Sequence, residues 1–356
     1  MKIAIVGCGA VGSFYGARLA RAGHEVHFLL RSDYEVVRQQ GVRVRSPQGD
    51  FQVHPHCARM PEAIGPSDLI VVALKTTAND QFSRLLPPLV GPASAVLTLQ
   101  NGLGNEEQLA RLFPIQQILG GLCFVCLNRL EPGLIHHLDH GQIVLGEYQR
   151  RPEPRTHQLA ACFRQAAIPC VVTDNLARAH WEKLTWNIPF NGLGVAGVAG
   201  LDSVLSGSIA DQREALSGLA GLSPKPSTSH LPASPPAQSA PTSVPEPAGR
   251  RATLTTDLLL ADARWEKLLR ELMGEVIAAA RALRFDLPDS LADTQIERTR
   301  TMGAYKASTL LDFECGRALE LESLFLEPLR QAQRAGVRVP RLEALCRVLC
   351  QLDARP

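Results

Sequence analysis

The first 175 residues alternate two kinds of apolar pattern. Short apolar runs, "KIAIV" at 2–6, "EVHFLL" at 25–30, "DLIVVAL" at 68–74 and "AVLTL" at 95–99, read as buried strands. Stretches with helical spacing lie between most of them, the first over residues 10 to 22. This alternation predicts a mostly parallel sheet with helices on both faces. Turn-like sequences, "EPG" and "GQIVLGE", flank "HHLDH" and predict a hairpin around residues 134 to 146, added antiparallel at a sheet edge. From about Leu176 the pattern changes to long helical segments with no convincing strand to the end. The expected division is 1–174 for the α/β domain and 175–356 for an all-helical domain.

One tract fits neither pattern. "SPKPSTSHLPASPPAQSAPTSVPEP", residues 223–247, holds eight prolines and six serines in 25 positions. It offers too little apolar surface to offset its ordering entropy, so an insertion at about 206–250 is expected to be disordered. Lengthening a loop from about 5 to about 45 residues costs only roughly 2 kcal/mol in closure entropy, which the fold can carry.

Composition narrows the function by exclusion. A 45% hydrophobic share is that of an ordinary globular chain, and 356 residues suffice for about two domains. A net charge of +2 gives no electrostatic case for nucleic acid or an anionic membrane. No apolar run approaches the roughly eighteen residues of a membrane span. The nine cysteines include one CxxC, Cys123 and Cys126, without a second pair at zinc spacing. The odd count favours reduced thiols and a cytoplasmic setting. His136, His137 and His140 in "HHLDH" fall in the expected hairpin, and no metal site is predicted.

The glycine pattern carries chemistry. "IVGCGAVG" follows a strand and opens a helix, the context in which GxGxxG signals a dinucleotide. Gly7 allows the tight turn, Gly9 lets a pyrophosphate approach the backbone, and Gly12 lets helix pack on strand. Gly7, Cys8, Gly9, Ala10, Val11 and Gly12 are thus expected to bind the cofactor at a helix N-terminus. The second strand ends "FLLRS", with Arg31 where an NAD site usually has an acid. A guanidinium suits a 2′-phosphate, so the expected cofactor is NADP (as NADPH).

Further along, "HWEKLTWNIPFN" places Lys183, Asn187 and Asn191 on one side of a mostly apolar helix. An ammonium and two amides among Trp181, Leu184, Trp186, Ile188 and Phe190 need polar partners, unless that face is solvated. "VALKTT" puts Lys75 just past a strand, and "LTLQNGLGN" puts Asn101 at another strand end. In open α/β sheets ligands sit at those carboxyl ends.

Together with a late "KASTLLDFECGRALELE", these segments resemble the ketopantoate reductases, the 2-dehydropantoate 2-reductases of pantothenate biosynthesis. The likeness runs from residue 1 to about 350, apart from the insertion. The resemblance implies NADPH-dependent reduction of a 2-oxo acid by a monomer or homodimer. It makes Lys183 the proton donor, and Asn187, Asn191 and Ser308 substrate contacts. Asn101 would be shared by cofactor and substrate, Glu320 would lie near the nicotinamide, Cys126 would touch the cofactor through its backbone, and Lys75 would line the same cleft. Two positions depart from the pattern: Pro189 should kink the helix between the asparagines, and Leu201 stands where some members carry another asparagine. A reductase of another 2-oxo acid, or a NADPH-binding regulatory protein, are the alternatives. A mere binder has no need of Lys183, the asparagines and Ser308.

Overall fold

The computed structural model of the chain describes residues 1–209 and 252–354. The proline/serine-rich tract at 223–247, expected to be disordered, lies outside the described residues. Ten strands form one curled, mixed sheet: β1 (Lys2–Val6), β2 (Glu25–Leu29), β3 (Val42–Arg45), β4 (Phe51–Val53), β5 (His56–Ala58), β6 (Ser67–Val72), β7 (Val90–Thr98), β8 (Ile118–Glu131), β9 (Leu134–Glu147) and β10 (Cys170–Val172). Their order is β4-β3-β9-β8-β7-β6-β1-β2-β5, with β10 also on β9. From β8 through β5 all neighbours are parallel. β1, β6 and the inner residues of β7 are sealed on both faces, which is why they read as continuous apolar runs.

The hairpin differs from the expectation. It is built from β8 and β9, fourteen residues each, with the turn at Pro132–Gly133. Residues 134–147 form one strand, and it is internal: β3 pairs with its first part and β10 with its second. "GQIVLGE" is no turn: all seven of its residues lie in β9, as does "HHLDH" before it. His137 is in fact buried, bonded to Ser46 Oγ at 2.8 Å and to His140 O at 3.0 Å, with its ring on Phe14. Burial pushes its pKa down, so it is a neutral packing group. His140 takes a positive φ of 64°, where the β8–β9 register shifts.

Beyond β10 the described residues are helical. Helix Leu176–Ala196 begins at Asn175, whose side chain accepts from Arg178 N. It runs without interruption through Pro189 and is buried along most of its length. Helices Ala263–Ala282, Ser308–Glu314 and Pro340–Asp353 pack around it. Trp181, Leu184, Ile188 and Leu193 meet Leu268, Leu272, Leu310, Phe325 and Leu345 in one apolar core. Two further clusters cover the two faces of the sheet. The loops after β6 and β7 touch this helical half at Glu320 and Ser323.

Candidate active site

The glycine loop joins β1 to helix Ala10–Arg21. Gly7 has φ +102°, and a Cβ there would lie 2.2 Å from Leu74 N. A Cβ on Gly12 would lie 2.2 Å from Gly7 O, so any side chain would push the helix off the strand. A Cβ on Gly9 meets nothing within 4 Å. Two glycines are thus fixed by the protein's own packing, and the third leaves open space at a helix end that no side chain caps. That space, lined by the first turn with Ala10 and Val11, fits a pyrophosphate. The Cys8 thiol turns inward to Ile5 O and Leu29 O at 3.6 Å, and burial raises its pKa well above the usual thiol value.

Arg31 stands exposed two residues past β2, with no side-chain hydrogen bond or ion pair among the described residues. Asp33 follows it. The acid is buried and its Oδ1 accepts from Arg129 Nη2 at 2.6 Å and from Ser32 Oγ at 2.9 Å.

Lys183 joins the helical half to the sheet half. Its Nζ donates to Asn101 Oδ1 at 2.8 Å and to Cys123 O at 2.8 Å, and lies 5.4 Å from the centre of the Phe124 ring. An ammonium has three hydrogens, so one remains to donate. Burial lowers the lysine's pKa, against the Cys123 thiol and Glu320, which raise it. One turn on, Asn187 is buried and its amide has no hydrogen bond among the described residues. Asn191 is occupied: its Oδ1 accepts from Thr309 N at 3.0 Å and Ser308 Oγ at 3.3 Å, capping helix Ser308–Glu314. Trp186, between the lysine and Asn187 in sequence, stacks on Phe190 and donates from Nε1 to Thr299 Oγ1.

Across the crevice Lys75 Nζ reaches Asp312 Oδ2 at 2.8 Å and Glu320 Oε2 at 2.9 Å. Glu320 Oε1 also accepts from Thr76 N at 2.8 Å. Burial works against the Lys75 charge, yet Glu320 and Asp312 together raise its pKa. The structure thus gathers Lys75, Asn101, Lys183, Asn187, Asn191, Ser308 and Glu320 at one junction. Cys126 lies apart from these contacts, on β8 beside Tyr305. Leu201 opens helix Leu201–Ser206 and packs on the helical core.

Several supporting residues escaped the sequence reading. Asn105, fully buried, donates to Asn101 O at 3.1 Å and accepts from Asn79 at 3.0 Å, while Gln100 donates to Asn79 Oδ1 and Leu74 O. These amides tie the loop after β6 to the loop after β7. His180 Nε2 meets Glu106 Oε1 at 2.9 Å, with both side chains buried, and fixes the lysine's helix one turn upstream. The "QNGLGN" segment held the signal for Asn105; nothing local signals the pairing of Glu106 with a residue 74 positions away. No group of three or more potential metal ligands exists among the described residues.

A glycine-loop sheet joined to a helical half through a half-buried lysine defines an oxidoreductase of the dinucleotide-binding class. Residues 3–150 match the family described as Ketopantoate reductase PanE/ApbA, and residues 250–353 match Ketopantoate reductase PanE/ApbA C terminal. The chain is 38% identical over 99% of its length to a 2-dehydropantoate 2-reductase of Nostoc sp., covering 96% of that protein. The crystal structure of 2-dehydropantoate 2-reductase from Geobacter metallireducens is similar at 42% identity and a TM-score of 0.81, with 99% of each chain covered. That from Methylococcus capsulatus is similar at 28% identity and a TM-score of 0.76, over 100% of this chain and 99% of that one. The chain belongs to the ketopantoate reductase family.

Proposed function

We propose that this chain reduces 2-dehydropantoate to pantoate with NADPH in pantothenate biosynthesis. The observation that carries the reading is Lys183: a half-buried ammonium with two hydrogens held by Asn101 and Cys123 O and one left over, at the meeting of the two halves. Full-length identity of 38% to a relative of that name supports the substrate. A bound reduced nicotinamide would supply the hydride for C2 of the oxo acid. As charge grows on the carbonyl oxygen, Lys183 stabilises it and donates a proton, giving the 2-hydroxy acid. Asn101 and Cys123 O keep Nζ aimed; Asn187, the amide without a protein partner, is the first choice to hold the substrate, with Ser308 beside it. The Gly7–Gly12 loop and Arg31 would hold the pyrophosphate and the 2′-phosphate, and Glu320 with Lys75 would border the nicotinamide end. Residues 1–174 then act as the cofactor domain, and residues from 175 carry the substrate groups. The described cysteines are all free, which suits the cytoplasm.

The test is NADPH oxidation with ketopantoate against a panel of other 2-oxo acids. Ketopantoate should give the highest kcat/KM. Lys183→Ala should lower kcat by about 10²–10⁴ with little change in NADP⁺ affinity. Because burial depresses the lysine's pKa, the rate should fall as pH rises through a value below the ordinary 10.5. Wild-type turnover in folded Lys183→Ala ends the catalytic assignment, and a preferred acid other than ketopantoate ends the substrate assignment.

A further inference from the structure

Asp33 lies about twenty residues past Gly12, the spacing at which NAD-binding sheets place the acid that holds the ribose hydroxyls. It is close to the cofactor loop: after burial and Cys57, the Asp33 carboxylate is what pushes the Cys8 thiol upward. A bare carboxylate there would repel a 2′-phosphate, which carries nearly two negative charges. The acid is not bare. Arg129 reaches it from the far end of β8, at 2.6 Å, leaving Asp33 with 8% of its side chain exposed and Arg129 with 38%. The tip of the hairpin that carries Arg129 is fixed in turn, since Arg43 N donates to Gly133 O at 2.8 Å and the Arg43 guanidinium pairs with Glu131 at 2.9 Å. Only one of the guanidinium's five N–H groups is spent on the carboxylate.

We propose that Arg129 is a specificity-determining residue for the dinucleotide: by neutralising Asp33 it opens the adenosine end of the crevice to a 2′-phosphate. Arg31 supplies attraction for the phosphate, and Arg129 removes the repulsion beneath it. Discrimination between two ligands is a difference of free energies, and cancelling a repulsive charge changes that difference as surely as adding an attractive one. The inference rests on the NADPH reading of the site.

Equilibrium binding of NADP⁺ and NAD⁺, by titration calorimetry on three proteins, tests it. In Arg129→Gln the affinity for NADP⁺ relative to NAD⁺ should fall about tenfold or more, as expected for an uncovered carboxylate beside the phosphate's place. Adding Asp33→Asn should restore most of the wild-type ratio, because no charge is then left to mask. Melting temperatures confirm that each variant is folded. An unchanged ratio in Arg129→Gln overturns the proposal, and so does a loss that Asp33→Asn fails to recover. A wild-type protein that binds both dinucleotides equally would defeat the NADPH reading instead, while the masking still stands or falls on the ratios across the three proteins.

Discussion

Asn187 and Asn191 occupy successive turns of one helix, yet their surroundings differ. The Asn191 amide oxygen serves the protein, accepting from Thr309 N and Ser308 Oγ. Asn187 is buried with no such partner. Asn191→Ala should therefore cost about 1 kcal/mol of stability, the usual worth of a helix cap, and also loosen Ser308. Asn187→Ala should leave the melting temperature nearly unchanged and raise KM for the oxo acid, if it binds ground state and transition state alike. Measuring both quantities for both variants separates them; equal losses of stability would sink the distinction. From sequence the two asparagines were equivalent, because the residue that claims Asn191 is 118 positions away.

At the level of elements, the glycine loop has one position open to a ligand and two closed by packing. Gly9→Ala should fold with a near-normal melting temperature but bind NADP⁺ weakly, since its methyl occupies the pyrophosphate's space. Gly12→Ala should destabilise the fold itself, because its methyl meets Gly7 O at 2.2 Å. Thermal melts with and without NADP⁺ check this, and a stable Gly12→Ala that binds normally would refute it. The loop, the parallel strands and the long helix were legible because each is specified within about ten residues by local spacing. The hairpin was not. Its polar histidines find partners in Ser46 and a bulge, and the strands that enclose β9 come from both sides in sequence. Arg31 was readable as a cation at a strand end. Asp33, two residues on, was passed over, and the arginine that silences it comes from 96 residues away. Pro189 sits inside the long helix, whose burial along most of its length offsets the hydrogen bond the proline removes.

Over the whole molecule, the two halves meet through polar groups at the crevice. Lys75 joins Asp312 and Glu320, Thr76 N joins Glu320, Leu103 N donates to Ser323 O at 2.9 Å, and Lys183 crosses to Asn101. Such a seam is individually weak, as suits a boundary that must admit a cofactor and an acid. With its side chain 51% exposed, Lys75 should contribute no more than about 1 kcal/mol to stability. Lys75→Met should thus lower the melting temperature only slightly. Its larger effect should be faster amide hydrogen exchange at Thr76, whose bond to Glu320 lies on the same seam. Exchange at wild-type rates would show that the lysine does not hold the halves together.

The chain has three tryptophans, and Trp181 and Trp265 are buried in the helical core. Only Trp186 is half-buried, stacked on Phe190 and placed between the lysine and the unpartnered amide. Trp186 is thus the one partly exposed fluorophore on the helix that carries the lysine. Its emission, and energy transfer from it to a reduced nicotinamide, offer a label-free optical signal for occupancy in the unmodified protein.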